Sequence, residues 1–162
     1  MGWLAVVVFV GPVACKSEQR RQHERLAQTL DAPMQHLCRI PSREAGGCMG
    51  DCPIWVSAKT GRAAAVASEA LLKIGPFEDA ETEALLGAVR KVAEGVRRDV
   101  GAACAERIDQ HASVSPRVRA CADAANANSK GVHGLIAAAT ALAARVSAHA
   151  SVELPRPYGC PD

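Results

Sequence analysis

Aromatic side chains are scarce in this chain: two Trp, one Tyr and two Phe among 162 residues. With five histidines as well, the sequence holds little from which to line a substrate pocket. Charge of one sign is also lacking. A formal net charge of +2 gives no strong field to steer nucleic acid, so no nucleic-acid partner is expected. The apolar run that opens the chain falls short of the roughly 20 residues that span a bilayer. There is no phosphate-cradling glycine loop, nucleophile elbow or zinc-protease motif, and no oxygen-rich calcium loop. Neither an alternating strand pattern nor an internal repeat occurs. On this reading no residue is assigned as catalytic and no cofactor is expected. An enzyme whose groups meet only in space is retained as an alternative, because such sites leave no local motif.

What is present begins at the N-terminus. An apolar run, Trp3 to Val10, leads through Gly11, Pro12, Val13 and Ala14 to Cys15, and the chain then turns polar with Lys16-Ser17-Glu18-Gln19-Arg20-Arg21. The run is short for a span and ends in small residues, the pattern of an export signal that is removed. Ala14-Cys15 resembles the lipobox of bacterial lipoproteins, where a small residue precedes a cysteine that takes a diacylglycerol and becomes the new N-terminus. Pro12 stands where that family usually has leucine, and no Lys or Arg precedes the run. The resemblance implies a signal peptide over 1–14, lipidation at Cys15, the membrane as a partner through that anchor, and a place in the bacterial envelope, periplasmic or at the cell surface. Myristoylation at Gly2 is excluded, since Val6 occupies the position that requires Ser or Thr.

Seven cysteines are an odd number, and a lipid on Cys15 would account for one of them. The others, Cys38, Cys48, Cys52, Cys104, Cys121 and Cys160, can form three disulfides in an oxidising compartment. Cys104 and Cys121 lie equally far from the centre of a loop at Ala112-Ser113. They should sit at one height in an antiparallel hairpin and bond. For Cys160 the favoured partner lies within the Cys48–Cys52 loop.

The expected fold is an all-α, disulfide-stapled bundle of three to four helices behind the signal segment. Leu26 and Leu30 give a thin apolar edge to a helix over 17–31, loosely attached and part of an anchor and tether over 15–32. Its Arg20, Arg21, His23 and Arg25 read as an ordinary solvated helix face, diluted by Glu18 and Glu24, with contact to anionic headgroups as the alternative. The helical domain covers 33–162. Pro33 breaks or restarts the first helix, and a Cys-rich loop follows over 38–53. Helices are predicted over 60–74, 80–110 and 116–150. Ala63, Val66, Ala67, Ala70, Leu71 and Ile74 form the first stripe, and Leu85, Val89, Val92, Val96, Val100 and Ala103 the second. Glu78, Asp79, Glu81 and Glu83 suit the positive end of a helix dipole. Ser115-Pro116 is a start signal, and Asn126, Asn128 and Gly131 predict a kink or break. Val132, Leu135, Ala139, Leu142 and Val146 then resume the stripe, and prolines extend the tail from Leu154.

Together these features predict an exported, lipid-anchored helical protein that acts as a non-catalytic binding or structural module, with a protein partner in the envelope. Trp55 reads first as packing over the cross-linked loop, and second as the one large anchor for a binding surface. A different class is a small zinc protein using His36, Cys38, Cys48 and Cys52. His111, His133 and His149 read as surface histidines.

Overall fold

The computed structural model describes residues 13–40, 56–105, 115–157 and 160, with side chains from residue 18 onward. Among these residues the chain forms five α-helices and no strand. They are α1 (Val13–Cys38), α2 (Ala58–Leu71), α3 (Ala80–Val96), α4 (Pro116–Ala127) and α5 (Ser129–Ala150), with a π-helical turn, Arg97–Gly101, continuing α3. Helices α1, α5, α3 and α2 neighbour one another in that cyclic order, making a four-helix ring. The short α4 packs on α2 and on the π-turn.

The helix starts follow local chemistry. Ser57, Asp79 and Ser115 each turn a side-chain oxygen onto the backbone N–H three residues ahead, at Thr60, Thr82 and Val118. Pro116 occupies the first turn of α4, where its missing N–H leaves no bond unmade. The break expected near Asn126 falls at Asn128, between α4 and α5. Asn126 also has a tertiary role: its amide accepts from the Val56 N–H at 2.8 Å and donates to the Val56 carbonyl at 2.7 Å. It thereby fixes the chain where it enters α2.

Helix α1 differs from the expectation of a loose tether over 15–32. It runs unbroken through Pro33 to Cys38, and Leu26, Leu30, Met34 and Leu37 are buried in the core. An interior proline costs a helix about 3 kcal/mol. Burying Met34 and Leu37 contributes about 1.5–3 kcal/mol each, and only an uninterrupted helix keeps them on the stripe begun by Leu26. Tertiary packing therefore outweighs the local break. The boundary at 32/33 consequently divides a single helix. Of the signal segment 1–14, residues 1–12 lie outside the described residues, and Val13 and Ala14 begin α1.

Helix α3 is shorter than the predicted 80–110. Val96, Val100 and Cys104 are buried and four residues apart, and each such step drifts about 40° around an α-helix. The wider π-turn absorbs that drift and keeps all three facing inward. Arg62 of α2 then donates to the carbonyls of Cys104 and Ala105 and so holds the chain where the helix ends. The leading core positions of α3 are Leu86, Val89 and Ala93, with Leu85 and Val92 at the margin.

Helix α2 buries Ala58, Thr60, Gly61, Ala64, Ala65, Ala67, Ser68 and Leu71. This is a broader and differently centred face than the predicted stripe, because α2 touches every other helix and the π-turn. Gly61 marks the closest approach, not the helix start that its sequence position suggests. A methyl group there would lie 2.6 Å from the Ala125 Cβ of α4 and 3.3 Å from Cys104 Sγ.

Two disulfides close the described fold. Cys104 is bonded to Cys121, with Cα atoms 4.7 Å apart, and Cys38 to Cys160, at 5.2 Å. The second bond corrects the expectation that Cys160 joins the Cys48–Cys52 loop. Because α1 continues to Cys38, its end meets the tail, which turns back after Ser151 adopts a left-handed φ of 55° and buries Leu154. Cys48 and Cys52 lie outside the described residues.

Two outcomes test this packing. A Gly-to-Ala change in a helix interior ordinarily gains up to about 1 kcal/mol. Gly87→Ala, with nothing within 4 Å of the new methyl, should show that gain in urea unfolding. Gly61→Ala should instead lose about 1–2 kcal/mol, because Ala125 and the disulfide cannot retreat. Equal effects would contradict the close approach. Cys160→Ser opens a loop of 122 residues and should cost up to about 5 kcal/mol in the chain-entropy model. Non-reducing peptide mapping that links Cys160 to Cys48 or Cys52 would refute the pairing.

Candidate functional site

A polar cluster lies within the bundle where the first half of α1, the start of α3 and the end of α5 meet. Its centre is His23. The stripe of α1 that carries Leu37, Met34, Leu30 and Leu26 reaches His23 when followed backwards by whole turns, and the ring is 0 % exposed. This corrects its assignment to a solvated helix face with Arg20, Arg21 and Arg25. Those three arginines are exposed, and Arg20 and Arg25 pair with Glu24 and Glu18.

His23 is held on all sides. Nδ1 is 2.9 Å from the Gln19 carbonyl oxygen, and Nε2 is 3.1 Å from Thr82 Oγ1. Phe77 meets the ring edge-on at 4.8 Å between centroids, and the exposed His149 of α5 stacks on it at 4.7 Å. Phe77 is itself positioned by a clamp. Its N–H donates to Glu83 Oε2, while Arg90 bonds Glu83 Oε1 and the carbonyls of Ile74 and Gly75. The Arg90 bond, followed by the Phe77 N–H, holds the Glu83 carboxyl below its ordinary range.

Thr82 is buried and its hydroxyl lies 2.6 Å from Asp79 Oδ2, while its N–H donates to the same oxygen at 3.0 Å. The Asp79 side chain, 16 % exposed, also takes Arg145 of α5 at 3.1 Å, and Arg145 reaches Glu81 as well. The Thr82 hydroxyl first and its N–H next lower Asp79 to about 2; burial opposes them, and Arg145 adds a smaller lowering effect. The four early carboxylates of α3 thus do more than suit a helix dipole. Asp79 and Glu81 tie α3 to α5, and Glu78 accepts from Gln22 of α1 at 2.8 Å.

Carboxylate, hydroxyl and imidazole stand in a row here, but not in the order of a hydrolytic triad. A triad nucleophile gives its proton to imidazole, which donates onward to the carboxylate. Here the hydroxyl stands in the middle, between the carboxylate and the ring. With His23 enclosed, the arrangement binds three helices together and does not activate Thr82 for attack.

The remaining sequence candidates lie elsewhere. Cys38 is committed to Cys160, so it cannot serve as the thiolate of the His36, Cys38, Cys48, Cys52 zinc alternative. His36 is half-buried at the opposite end of α1. Burial first, then Arg39 and Arg62, holds it below the ordinary histidine range. Among the described residues no group of three His, Cys, Asp or Glu side chains could hold a metal. Trp55, Cys48, Cys52 and His111 lie outside the described residues, as does the side chain of Cys15. His133 is half-buried and bonds Ser129, whereas His149 is exposed. Sequence reasoning missed His23, Thr82 and Arg145 as partners. The available signal was the position of His23 at seven residues before Leu30 on one stripe.

Asp79 gives a pH test. Its carboxyl is lower in the fold than the ordinary value of 3.8, so the folded state favours the charged form. That contribution is present above about pH 4 and is lost as pH falls through about 2. In urea titrations between pH 5 and 2, Asp79→Asn should flatten the acid loss relative to the parent protein, and parallel curves would count against it. The variant should also cost about 0.5–2 kcal/mol at neutral pH through the weakened cap. Comparison with protein-family models, curated proteins and solved structures found no match for this chain.

Proposed function

We propose that this protein is an exported, lipid-anchored module of the bacterial envelope that binds or supports a protein partner without catalysis. The observation that carries the reading is the consumption of Cys38, Cys104, Cys121 and Cys160 in two disulfides. Such bonds belong to an oxidising environment outside the cytoplasm. They support an export reading of the apolar N-terminus and give its lipobox-like Ala14-Cys15 a consistent setting.

Cys15 stands in the first turn of α1, and α1 is packed into the bundle from Leu26, with His23 buried before it. A diacylglycerol at Cys15 therefore holds the helical body close to the bilayer, without a slack linker. The exposed residues at that end, Glu18, Arg20, Arg21 and Arg25, mix both signs. Attachment then rests on the acyl chains more than on headgroup charge. Helix α5 is the one described helix long and apolar enough to cross a membrane. Val132, Leu135, Ile136, Ala139, Leu142 and Val146 instead fill the core between its neighbours.

The test is fractionation of cells expressing the full chain. The parent protein should partition with membranes and Cys15→Ser should be released. Intact-mass measurement should show a chain beginning at Cys15 with added acyl mass, and an unmodified chain beginning at Met1 would refute the proposal.

A further inference from the structure

The hydrogen bonds around His23 can be counted proton by proton. The Gln19 carbonyl oxygen only accepts, so the 2.9 Å contact requires a proton on Nδ1. Nε2 faces Thr82 Oγ1 at 3.1 Å, and Thr82 has a single hydroxyl proton for which Nε2 and Asp79 Oδ2 compete. If that proton pointed at Nε2, two acceptor oxygens would face each other at 2.6 Å with no proton between them, at the edge of a buried site. The Thr82 hydroxyl is also the largest influence lowering the Asp79 carboxyl, as expected where the hydroxyl donates to the carboxylate. With the hydroxyl proton on the Asp79 side, Nε2 must donate as well.

We infer that His23 is a buried imidazolium, protonated on both nitrogens, and that its second proton latches the first half of α1 onto α3 and α5. The groups facing it divide by sign. From α3 and the residue before its cap come Asp79, through Thr82, with Glu81 and Glu78, and these favour the charge. From α5, Arg145 opposes it but is engaged by Asp79 and Glu81. His149 opposes it more directly, since a proton on both stacked rings would set two cations face to face at 4.7 Å. On α1 itself, Arg20 and Glu24 pair with each other. Phe77 brings no charge.

When the ring becomes neutral with Nδ1 still donating to Gln19, Nε2 turns a lone pair toward an oxygen whose proton is already given to Asp79. The bond between α1 and α3 is lost. The latch holds while both ring nitrogens carry a proton and opens when Nε2 loses its own.

The decisive measurement is nitrogen NMR of the disulfide-intact protein labelled with ¹⁵N in histidine, with ring signals assigned through the backbone. At pH 7.5 both His23 nitrogens should show protonated, imidazolium-type shifts. A neutral tautomer with one bare nitrogen at that pH overturns the inference. Thr82→Val removes the acceptor at nearly constant volume and should convert the His23 signals at that pH to those of a neutral ring with one bare nitrogen. Unchanged imidazolium-type shifts in the variant refute the role of Thr82, and if the variant fails to fold the parent spectrum still decides. Amide exchange over 23–27 should be faster in Thr82→Val than in the parent protein, measured relative to α2. Equal behaviour of the two segments overturns the latch.

Discussion

The fold depends on how closely α2 approaches its neighbours. At Gly61 there is no room for a methyl group against Ala125, and the Cys104–Cys121 bridge lies just beyond. Ala64, Ala65, Ala67 and Ser68 extend that small-sided surface, so backbones come near one another where larger side chains would hold them apart. Close-packed small residues gain dispersion contacts but remove little apolar area each, and a core of this kind has a limited hydrophobic contribution per residue. The disulfides supplement it. One fixes the junction of the π-turn with α4, and the other ties the end of α1 to the tail.

Away from that contact, specificity comes from polar groups that are almost fully partnered. Ser68 donates to the Ala64 carbonyl, Asn126 fixes Val56, and Arg62 and Arg90 bind the carbonyls where helices end. The cluster around His23 follows the same logic at larger scale. Buried hydrogen-bonded networks are costly when one member is lost, because the others are left unsatisfied in a medium that cannot rehydrate them.

These features bear on the proposed role. A lipid on Cys15 would tie the membrane to α1, and α1 meets the rest of the bundle through His23 and Gln22 near its start and Cys38 at its end.

By itself the sequence determined the class of fold and most helix limits. Capping residues such as Ser115 and Asp79, the break near Asn128 and the stripe of α5 are local signals, legible because neighbouring residues on one helix decide them. The symmetric placement of Cys104 and Cys121 about one loop was legible for the same reason. Tertiary structure decided the rest. Pro33 lies inside a continuous helix because Met34 and Leu37 are buried by other helices. Gly61 is a contact point because α4 passes over it, and Cys160 meets Cys38 because α1 does not stop early. His23 read as a wet residue among arginines. Its partners Thr82, Asp79 and His149 come from helices more than 50 residues distant, and only the folding of α3 and α5 against α1 brings them together.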